Sequence, residues 1–174
     1  MNVCIIGDGL SSLSLAKNLI NQKIIVHMYH KTKKDKLFSN RAIGISKNNL
    51  EFFQNKILKI NKKHLWKIDK IEIFSEKIKD SRILNFEKEK NFLFSMIKNK
   101  ILYETLNKNL LKNSLFKKKI IKNNYFYKKI LKENKYDLII NCESKNYFEK
   151  KFFYKKIVKD YKNLAYTINF QHSS

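Results

Sequence analysis

The first part of the chain changes its pattern of apolar and polar residues twice. Residues 3–6 form a short apolar run that is partly β-branched, which is typical of a strand buried on both faces. A second apolar run, at 24–29, has the same strand character. Between the two runs the apolar residues follow helical spacing, at Leu10, Leu13, Ala16 and Ile20. The pattern therefore predicts a βαβ unit at the start of an α/β domain.

The rest of the chain continues with strand and helix patterns, without an internal repeat or a low-complexity linker. Alternating apolar residues predict strands, and apolar residues three and four apart predict helices. Two runs joined through Asn123 and Asn124 predict a β-hairpin at 116–133. In chain order, the predicted elements are a loop or short strand at 41–46, a helix with Leu50, Phe53, Ile57 and Leu58 on one face, strands at 68–76, 81–87 and 92–96, a helix at 98–111, the hairpin, and strands at 136–144 and 163–171.

Two of the three glycines stand in the turn between the first strand and the first helix. Gly7 permits a tight turn out of the strand, and Gly9 allows the backbone to approach a pyrophosphate closely. The third position of this motif requires a small side chain, so that helix and strand can pack together, and serine fills it here. The pyrophosphate would rest on the helix N-terminus. The predicted cofactor-binding residues of the turn are Gly7, Gly9, Leu10, Ser11 and Ser12, and the alternative is a tight turn in an unrelated α/β domain.

The end of the second predicted strand departs from the usual dinucleotide-binding pattern. A ribose usually meets an Asp or Glu about 20 residues beyond the glycines, and His30 stands at that place. Histidine can donate or accept a hydrogen bond, but it lacks the two acceptor oxygens of a carboxylate. Asp35 follows shortly afterwards, where a loop is predicted. His30 is therefore either a ribose contact or an exposed residue at a strand end.

The formal net charge of +23 raises the question of a nucleic-acid partner. Of the 38 basic residues only Arg41 and Arg82 are arginine, and arginine is the residue best suited to base edges and phosphates. The lysines are also spread along the whole chain. Lys, Asn and Ile are abundant, proline is absent and glycine is scarce, which is the composition that AT-rich codons would produce. We therefore expect no nucleic-acid binding, whereas scattered lysines could support peripheral association with anionic lipid headgroups.

Three further features of the sequence exclude several classes of protein. They are the positions of the cysteines, the positions of the histidines and the lengths of the apolar runs. Cys4 and Cys142 both lie in apolar strand-like runs, which predicts two buried free thiols in a reducing cytoplasm. The histidines are scattered and no CxxC pair occurs, which predicts no metal site. No window approaches the ~20 consecutive apolar residues of a membrane span, and the first apolar run is too short for a signal peptide. We expect a cytoplasmic α/β protein.

Four motifs occur in the order typical of one enzyme family. They are VCIIGDGLSSLSLAKNL at 3–19, RAIGIS at 41–46, NKILYETL at 99–106 and YDLIINCES at 136–144. In this order the chain resembles the amino-terminal half of FAD-dependent aromatic monooxygenases, the group that includes para-hydroxybenzoate hydroxylase. Within that group it is most similar to the ubiquinone-biosynthesis hydroxylases. The resemblance implies a Rossmann-like FAD-binding βαβ domain of the GR2 type, with a β-rich segment inserted at about 66–96.

The resemblance also implies roles for particular residues. The glycine turn would hold the ADP part of FAD, and Arg41 would contact the flavin cofactor. Lys100 stands where the family has the arginine of an Asn-Arg pair at a helix start. NAD(P)H is implied as the electron donor, and a phenolic or prenylated aromatic compound as the substrate. The sequence singles out no catalytic residue.

Three features of that family are changed or missing. His30 replaces the acidic ribose partner, Glu143-Ser144 stands where the family has Asp-Gly, and a second FAD motif of the GDAAH type does not occur. We therefore expect an FAD-binding domain at 1–155 and an incomplete substrate-domain strand at 156–174, in a truncated or divergent member. Such a chain would bind FAD or a nucleotide without hydroxylating a ring. The alternatives are a non-catalytic nucleotide-binding protein and, less favoured, a basic module for nucleic acid or anionic membrane.

Overall fold

The computed structural model describes residues 1–31, 41–74, 82–87, 92–153, 155, 157–162 and 164. The strands are β1 (Asn2–Ile6), β2 (Ile25–His30), β3 (Ala42–Ser46), β4 (Trp66–Ile68), β5 (Lys70–Phe74), β6 (Arg82–Glu87), β7 (Phe94–Lys98), β8 (Phe116–Ile120) and β9 (Leu138–Asn141). The helices are α1 (Leu10–Asn21), α2 (Lys47–Phe52), α3 (Asn99–Leu111), α4 (Tyr125–Lys132) and α5 (Tyr147–Phe152), with a π-helical turn at Phe53–Ile57 and a 3-10 turn at Lys62–His64. Among these described helices, none has the length and hydrophobicity that a bilayer span requires.

The central sheet has four strands in the order β8-β2-β1-β9, and every neighbouring pair is parallel. β1 lies inside the sheet, because Val3 is opposite Val26 of β2 on one side and opposite Leu138 of β9 on the other. The predicted βαβ unit is therefore present as β1, α1 and β2. Parallel strands place their carboxyl ends at the same edge of a sheet, so the ends of β1, β2 and β9 meet there.

The side chains of β1 point alternately into two hydrophobic clusters. Val3 and Ile5 belong to the larger cluster, which includes residues of α1 and α3. Cys4 and Ile6 belong to the smaller cluster, which includes residues of α4 and α5. All four side chains are completely buried. Helices thus cover both faces of a parallel sheet, which confirms the predicted α/β class and explains why β1 is an unbroken apolar run in the sequence.

Antiparallel strands fill the middle of the chain. β7 pairs with β3 on one side and β4 on the other, and β5 pairs with β6 in a separate two-stranded ribbon. Ile97 of β7 is completely buried in the larger cluster, so the three-stranded sheet packs on the side of α1 and α3. The strands predicted at 68–76, 81–87 and 92–96 correspond to β5, β6 and β7, although 75–76 and 81 lie outside the described residues.

The hairpin predicted at 116–133 is wrong. Its first half is β8, which pairs in parallel with β2 and not with its neighbour in sequence. Its second half is helix α4, because Tyr127 and Ile130 lie three residues apart and are buried together in the smaller cluster. The strand predicted at 163–171 lies outside the described residues except for Leu164.

The two cysteines differ in exposure, which corrects the prediction that both are buried. Cys4 is completely buried in β1, whereas Cys142 is exposed and directly follows the last residue of β9. At that point the chain has reached the edge of the sheet and leaves the core. Burial raises the pKa of the Cys4 thiol from its ordinary value of 9.0 to about 12.

We expect a thiol reagent at about pH 8 to modify Cys142 of the folded chain quickly and Cys4 only after unfolding, because the thiolate is the reactive form. Cys142→Ser should abolish the fast reaction, and Cys4→Ser should leave it unchanged. Two fast-reacting thiols per folded chain would contradict the burial of Cys4.

The titration of Cys4 also affects the stability of the protein. The unfolded chain loses the Cys4 proton near pH 9.0 and the folded chain near pH 12, so this group lowers the free energy of unfolding as the pH rises above 9.0.

Candidate functional site

The turn after β1 has a positive φ angle of 113° at Gly7. The Gly7 N–H donates to the Tyr29 carbonyl at 2.7 Å, which ties the turn to β2. On the other side, the Cys142 N–H donates to the Ile6 carbonyl at 2.9 Å. A Cβ atom at Gly7 would lie 3.2 Å from Ser12 Oγ and 3.4 Å from the carbonyl group of Cys142. Glycine is therefore required here both by the backbone angle and by the available space.

Helix α1 begins with an uncapped N-terminus at Gly9, which is extended and is followed by no acidic residue in the first turn. The first helical hydrogen bond runs from the Leu13 N–H to the Gly9 carbonyl at 3.0 Å. The preceding N–H groups, those of Leu10, Ser11 and Ser12, have no helical carbonyl partner. A Cβ atom at Gly9 would find no atom of the described chain within 4 Å. This helix end offers donors and a positive dipole to an anion.

Ser12 carries a buried hydroxyl beside this turn. The residue is only 1% exposed, and its Oγ atom has no hydrogen-bond partner among the described residues. Oγ also borders the space that a side chain at Gly7 would fill. Leaving a buried hydroxyl unpaired is costly, so a ligand that supplies a partner at this turn would recover part of that cost.

Asp8, between the two glycines, lies at the centre of an ionic cluster. Its Oδ2 atom is 3.2 Å from His30 Nδ1 and 3.6 Å from Lys118 Nζ. Tyr103 donates its hydroxyl to the same oxygen at 3.3 Å. The side chains of Asp8, His30 and Lys118 are between 13% and 16% exposed. The turn after β1, the end of β2, helix α3 and strand β8 thus converge on one carboxylate.

Lys118 is the anchored cation of this cluster. Its Nζ atom donates to Asn107 Oδ1 at 3.0 Å and to the Tyr103 hydroxyl at 3.2 Å. Burial lowers the pKa of Lys118, and the negative charge of Asp8 opposes that change. Burial also raises the pKa of Tyr103 to about 12, with the charge of Asp8 as the second cause. Tyr103 therefore keeps its proton at neutral pH and remains a donor to Asp8.

Arg41 and Lys100, the other predicted site residues, lie near the start of α3. The Asn99 N–H donates to the Arg41 carbonyl at 2.8 Å, which places Arg41 beside the first turn of that helix. Lys100 Nζ lies 3.9 Å from Glu104 Oε1, and both side chains are exposed. Within the described part of the chain, neither Arg41 nor Lys100 forms a side-chain hydrogen bond or ion pair with the glycine turn. The structure thus brings the turn residues and His30 together, and leaves this pair outside their contacts.

The sequence pattern singled out the glycine turn and His30, but it did not predict the contacts of Asp8 with Tyr103 and Lys118. Tyr103 is 95 residues away from Asp8 in the chain, so no local pattern could link them. Lys118 is one of three consecutive lysines, and only the parallel pairing of β8 with β2 distinguishes it from its neighbours. The available signal was Asp8 itself, an acidic residue inside a motif whose usual ligand is an anion.

A second concave feature lies beside β9. It is a cleft of about 500 Å³ whose lining contains no ionisable side chain. Within the described ranges, no group of three or more His, Cys, Asp or Glu side chains could hold a metal ion. The cleft is lined by Leu131, Ile139, Ile140, Asn141, Phe148, Phe152 and Phe153.

No protein-family model and no curated protein matches this chain, but solved structures of similar fold exist. One is a protein of Photorhabdus luminescens subsp. laumondii described as an FAD-containing monooxygenase, with a TM-score of 0.52, 20% identity, and coverage of 68% of this chain and 30% of that one. Another is PqsL of P. aeruginosa in complex with 2-aminobenzoylacetate, with a TM-score of 0.56, 12% identity, and coverage of 69% and 33%. A third is MHPCO, with a TM-score of 0.54, 14% identity, and coverage of 68% and 31%.

The chain has a fold found in FAD-dependent monooxygenases. It spans about a third of the length of the structures it matches. In the described part of this chain, helices lie on both faces of a parallel sheet, as the resemblance in the sequence predicted. At identities of 20% and below, the likeness is one of fold.

Proposed function

We propose that this chain binds the ADP part of FAD at the turn formed by Gly7, Gly9 and the start of α1. The observation that carries the proposal is the uncapped N-terminus of α1 beside the open space at Gly9. A diphosphate satisfies such donors and is favoured by the helix dipole. The turn also lies at the carboxyl edge of a parallel sheet, which is where nucleotides bind in proteins of this architecture.

The residues present at the turn fit a diphosphate-containing cofactor. The N–H groups of Leu10, Ser11 and Ser12 would bind phosphate oxygens, and the buried Ser12 hydroxyl would gain a partner. The negative charge of Asp8 is balanced locally by its ion pair with Lys118. FAD, when bound, supplies the redox chemistry, while the protein supplies binding and orientation.

The finer proposal is that the chain works in an NAD(P)H-dependent aromatic hydroxylase of the ubiquinone-biosynthesis type. Its support is the order of the RAIGIS, NKILYETL and YDLIINCES segments in the sequence, together with the shared fold. One protein of this fold, PqsL, was solved with 2-aminobenzoylacetate, an aromatic compound. By the same resemblance Arg41 would contact the flavin and Lys100 would take the place of a family arginine. Peripheral association with anionic membrane, supported by the net charge of +23, belongs to this proposal.

Calorimetric titration with FAD, ADP and FMN tests the binding proposal. We expect FAD and ADP to compete for one site, and FMN, which lacks adenosine diphosphate, to bind far more weakly. Because the chain carries a charge of +23, each titration is repeated at about 0.5 M salt, where attraction to surface lysines is screened. Equal binding of FMN and FAD would contradict the proposal, and so would the absence of ADP binding under both conditions.

A further inference from the structure

The carboxylate between the two glycines has no role in the diphosphate site described so far. When a diphosphate rests on the N-terminus of α1, the attached ribose lies near the carboxyl ends of β1 and β2. Proteins of this architecture usually place an acidic residue at the end of β2 to meet the ribose, and β2 of this chain ends at His30. Asp8 reaches that position from the turn, because its Oδ2 atom lies 3.2 Å from His30 Nδ1.

We propose that the Asp8 carboxylate accepts the ribose hydroxyls of the bound nucleotide, with His30 and Lys118 as the residues that position it. This inference rests on the proposed binding of an ADP group at the turn. It adds that the site selects nucleotides with a free ribose diol, and that the selecting group comes from the glycine turn and not from the end of β2.

The contacts of Asp8 leave one of its oxygens available. His30, Lys118 and Tyr103 all approach Oδ2, and none of the described residues donates a hydrogen bond to Oδ1. An ionised carboxylate has about four acceptor sites, so Oδ1 retains its capacity for a ligand hydroxyl. The side chain is 15% exposed, which leaves it accessible although three neighbours hold its other oxygen.

The charges around Asp8 suit a ribose better than a phosphate. Lys118 balances the carboxylate, which would otherwise repel the diphosphate on the neighbouring helix end. Lys118 is itself held by Asn107, at 3.0 Å. A hydroxyl of the ribose would donate a hydrogen bond to the Asp8 carboxylate, whereas an ionised phosphate on the ribose has no proton to donate to it. The arrangement therefore favours an unphosphorylated ribose.

The test compares ADP with 2′,3′-dideoxy-ADP, which lacks both ribose hydroxyls, by calorimetry on the full chain. Because hydrogen bonds to a charged group are stronger than neutral ones, we expect the wild-type protein to bind ADP about 10- to 100-fold more tightly than the dideoxy analogue. Asp8→Ala should bring this ratio close to one. The matched control Asp69→Ala, which removes an exposed acidic residue between β4 and β5, should keep the wild-type ratio.

The ratio of the affinities for ADP and the dideoxy analogue also tests the positioning role of Lys118. Lys118→Met should lower the preference for ADP over the dideoxy analogue, and Lys118→Arg should restore most of it. Thermal unfolding of each variant separates a loss of discrimination from a loss of folding. Asp8→Asn, which preserves the shape of the side chain, replaces Asp8→Ala if the alanine variant does not fold, and should also lower the ratio because a neutral amide is a weaker acceptor.

The possible results separate this inference from the proposed function. If ADP binds but Asp8→Ala and Asp8→Asn keep the wild-type ratio, the ribose role is wrong and the diphosphate site stands. Tighter ADP binding in Asp8→Ala, with an unchanged ratio, would show that Asp8 only repels the diphosphate and would also overturn the inference. A chain that binds no ADP would overturn both.

Discussion

Replacing Gly9 by valine is expected to weaken ADP binding by at least about 100-fold while leaving the protein folded. The free space around Gly9 is large enough for a side chain, because a Cβ atom there would meet nothing of the described chain within 4 Å. The valine would instead occupy the space through which a diphosphate approaches the N–H groups of α1. Losing two hydrogen bonds to a charged oxygen, at roughly 1.5–3 kcal/mol each, accounts for the expected factor.

Stability should change little in the same variant. Valine is a poorer N-cap than glycine, which costs about 1 kcal/mol of helix stability. Calorimetry with ADP and urea unfolding of the same preparation measure both quantities, and Asn109→Val, at an exposed position of α3, is the matched control. If Gly9→Val binds ADP as tightly as the wild-type protein, the diphosphate does not lie at this turn.

Gly7→Ala should change the stability of the protein strongly, unlike Gly9→Val. We expect it to lower the free energy of unfolding by about 2–5 kcal/mol. A φ angle of 113° is unfavourable for any residue with a side chain, and such strain costs about 1–3 kcal/mol. The new Cβ atom would also lie 3.2 Å from Ser12 Oγ and 3.4 Å from the Cys142 backbone, which adds overpacking of a similar size. This is a large share of the ~5–15 kcal/mol that usually stabilises a domain.

Gly44→Ala provides the control for that measurement. A Cβ atom at Gly44 would meet Met96 Sδ at 3.2 Å, and this is the mobile end of a flexible side chain that can move aside. We expect urea unfolding to show a loss below about 1 kcal/mol for this variant. A Gly7→Ala protein as stable as Gly44→Ala would mean that the turn adopts another backbone conformation at Gly7.

The parts of the fold that the sequence predicted correctly are those with a strong local pattern of residues. The unbroken apolar run of β1, the helical spacing of α1 and the glycines between them all lie within a short segment, so one pattern could identify them. β8 was assigned to a hairpin because the Asn123-Asn124 pair separates it from the next run, while its real partner, β2, is distant in the sequence. Parallel pairing between distant strands leaves no mark on the spacing of residues within either strand.

The same distinction applies to the site. Gly7, Gly9 and Ser12 follow a fixed spacing within one short segment, so a local pattern could single them out. The cluster around Asp8 combines residues from four elements, and its members become neighbours only when the sheet and α3 are assembled. Electrostatic partners of this kind depend on tertiary packing, which the sequence patterns do not specify.

The parallel pairing of β1 with β9 has a consequence for how the protein is made. Ile6 pairs with Asn141, so one edge of β1 has no partner until the ribosome has added every residue between them. At about 5–20 residues per second this interval lasts roughly ten seconds. During translation the nascent chain therefore exposes an apolar strand edge of the type that chaperones protect. The Cys142 backbone, which hydrogen-bonds to Ile6 and lies beside Gly7, reaches its place only after that delay.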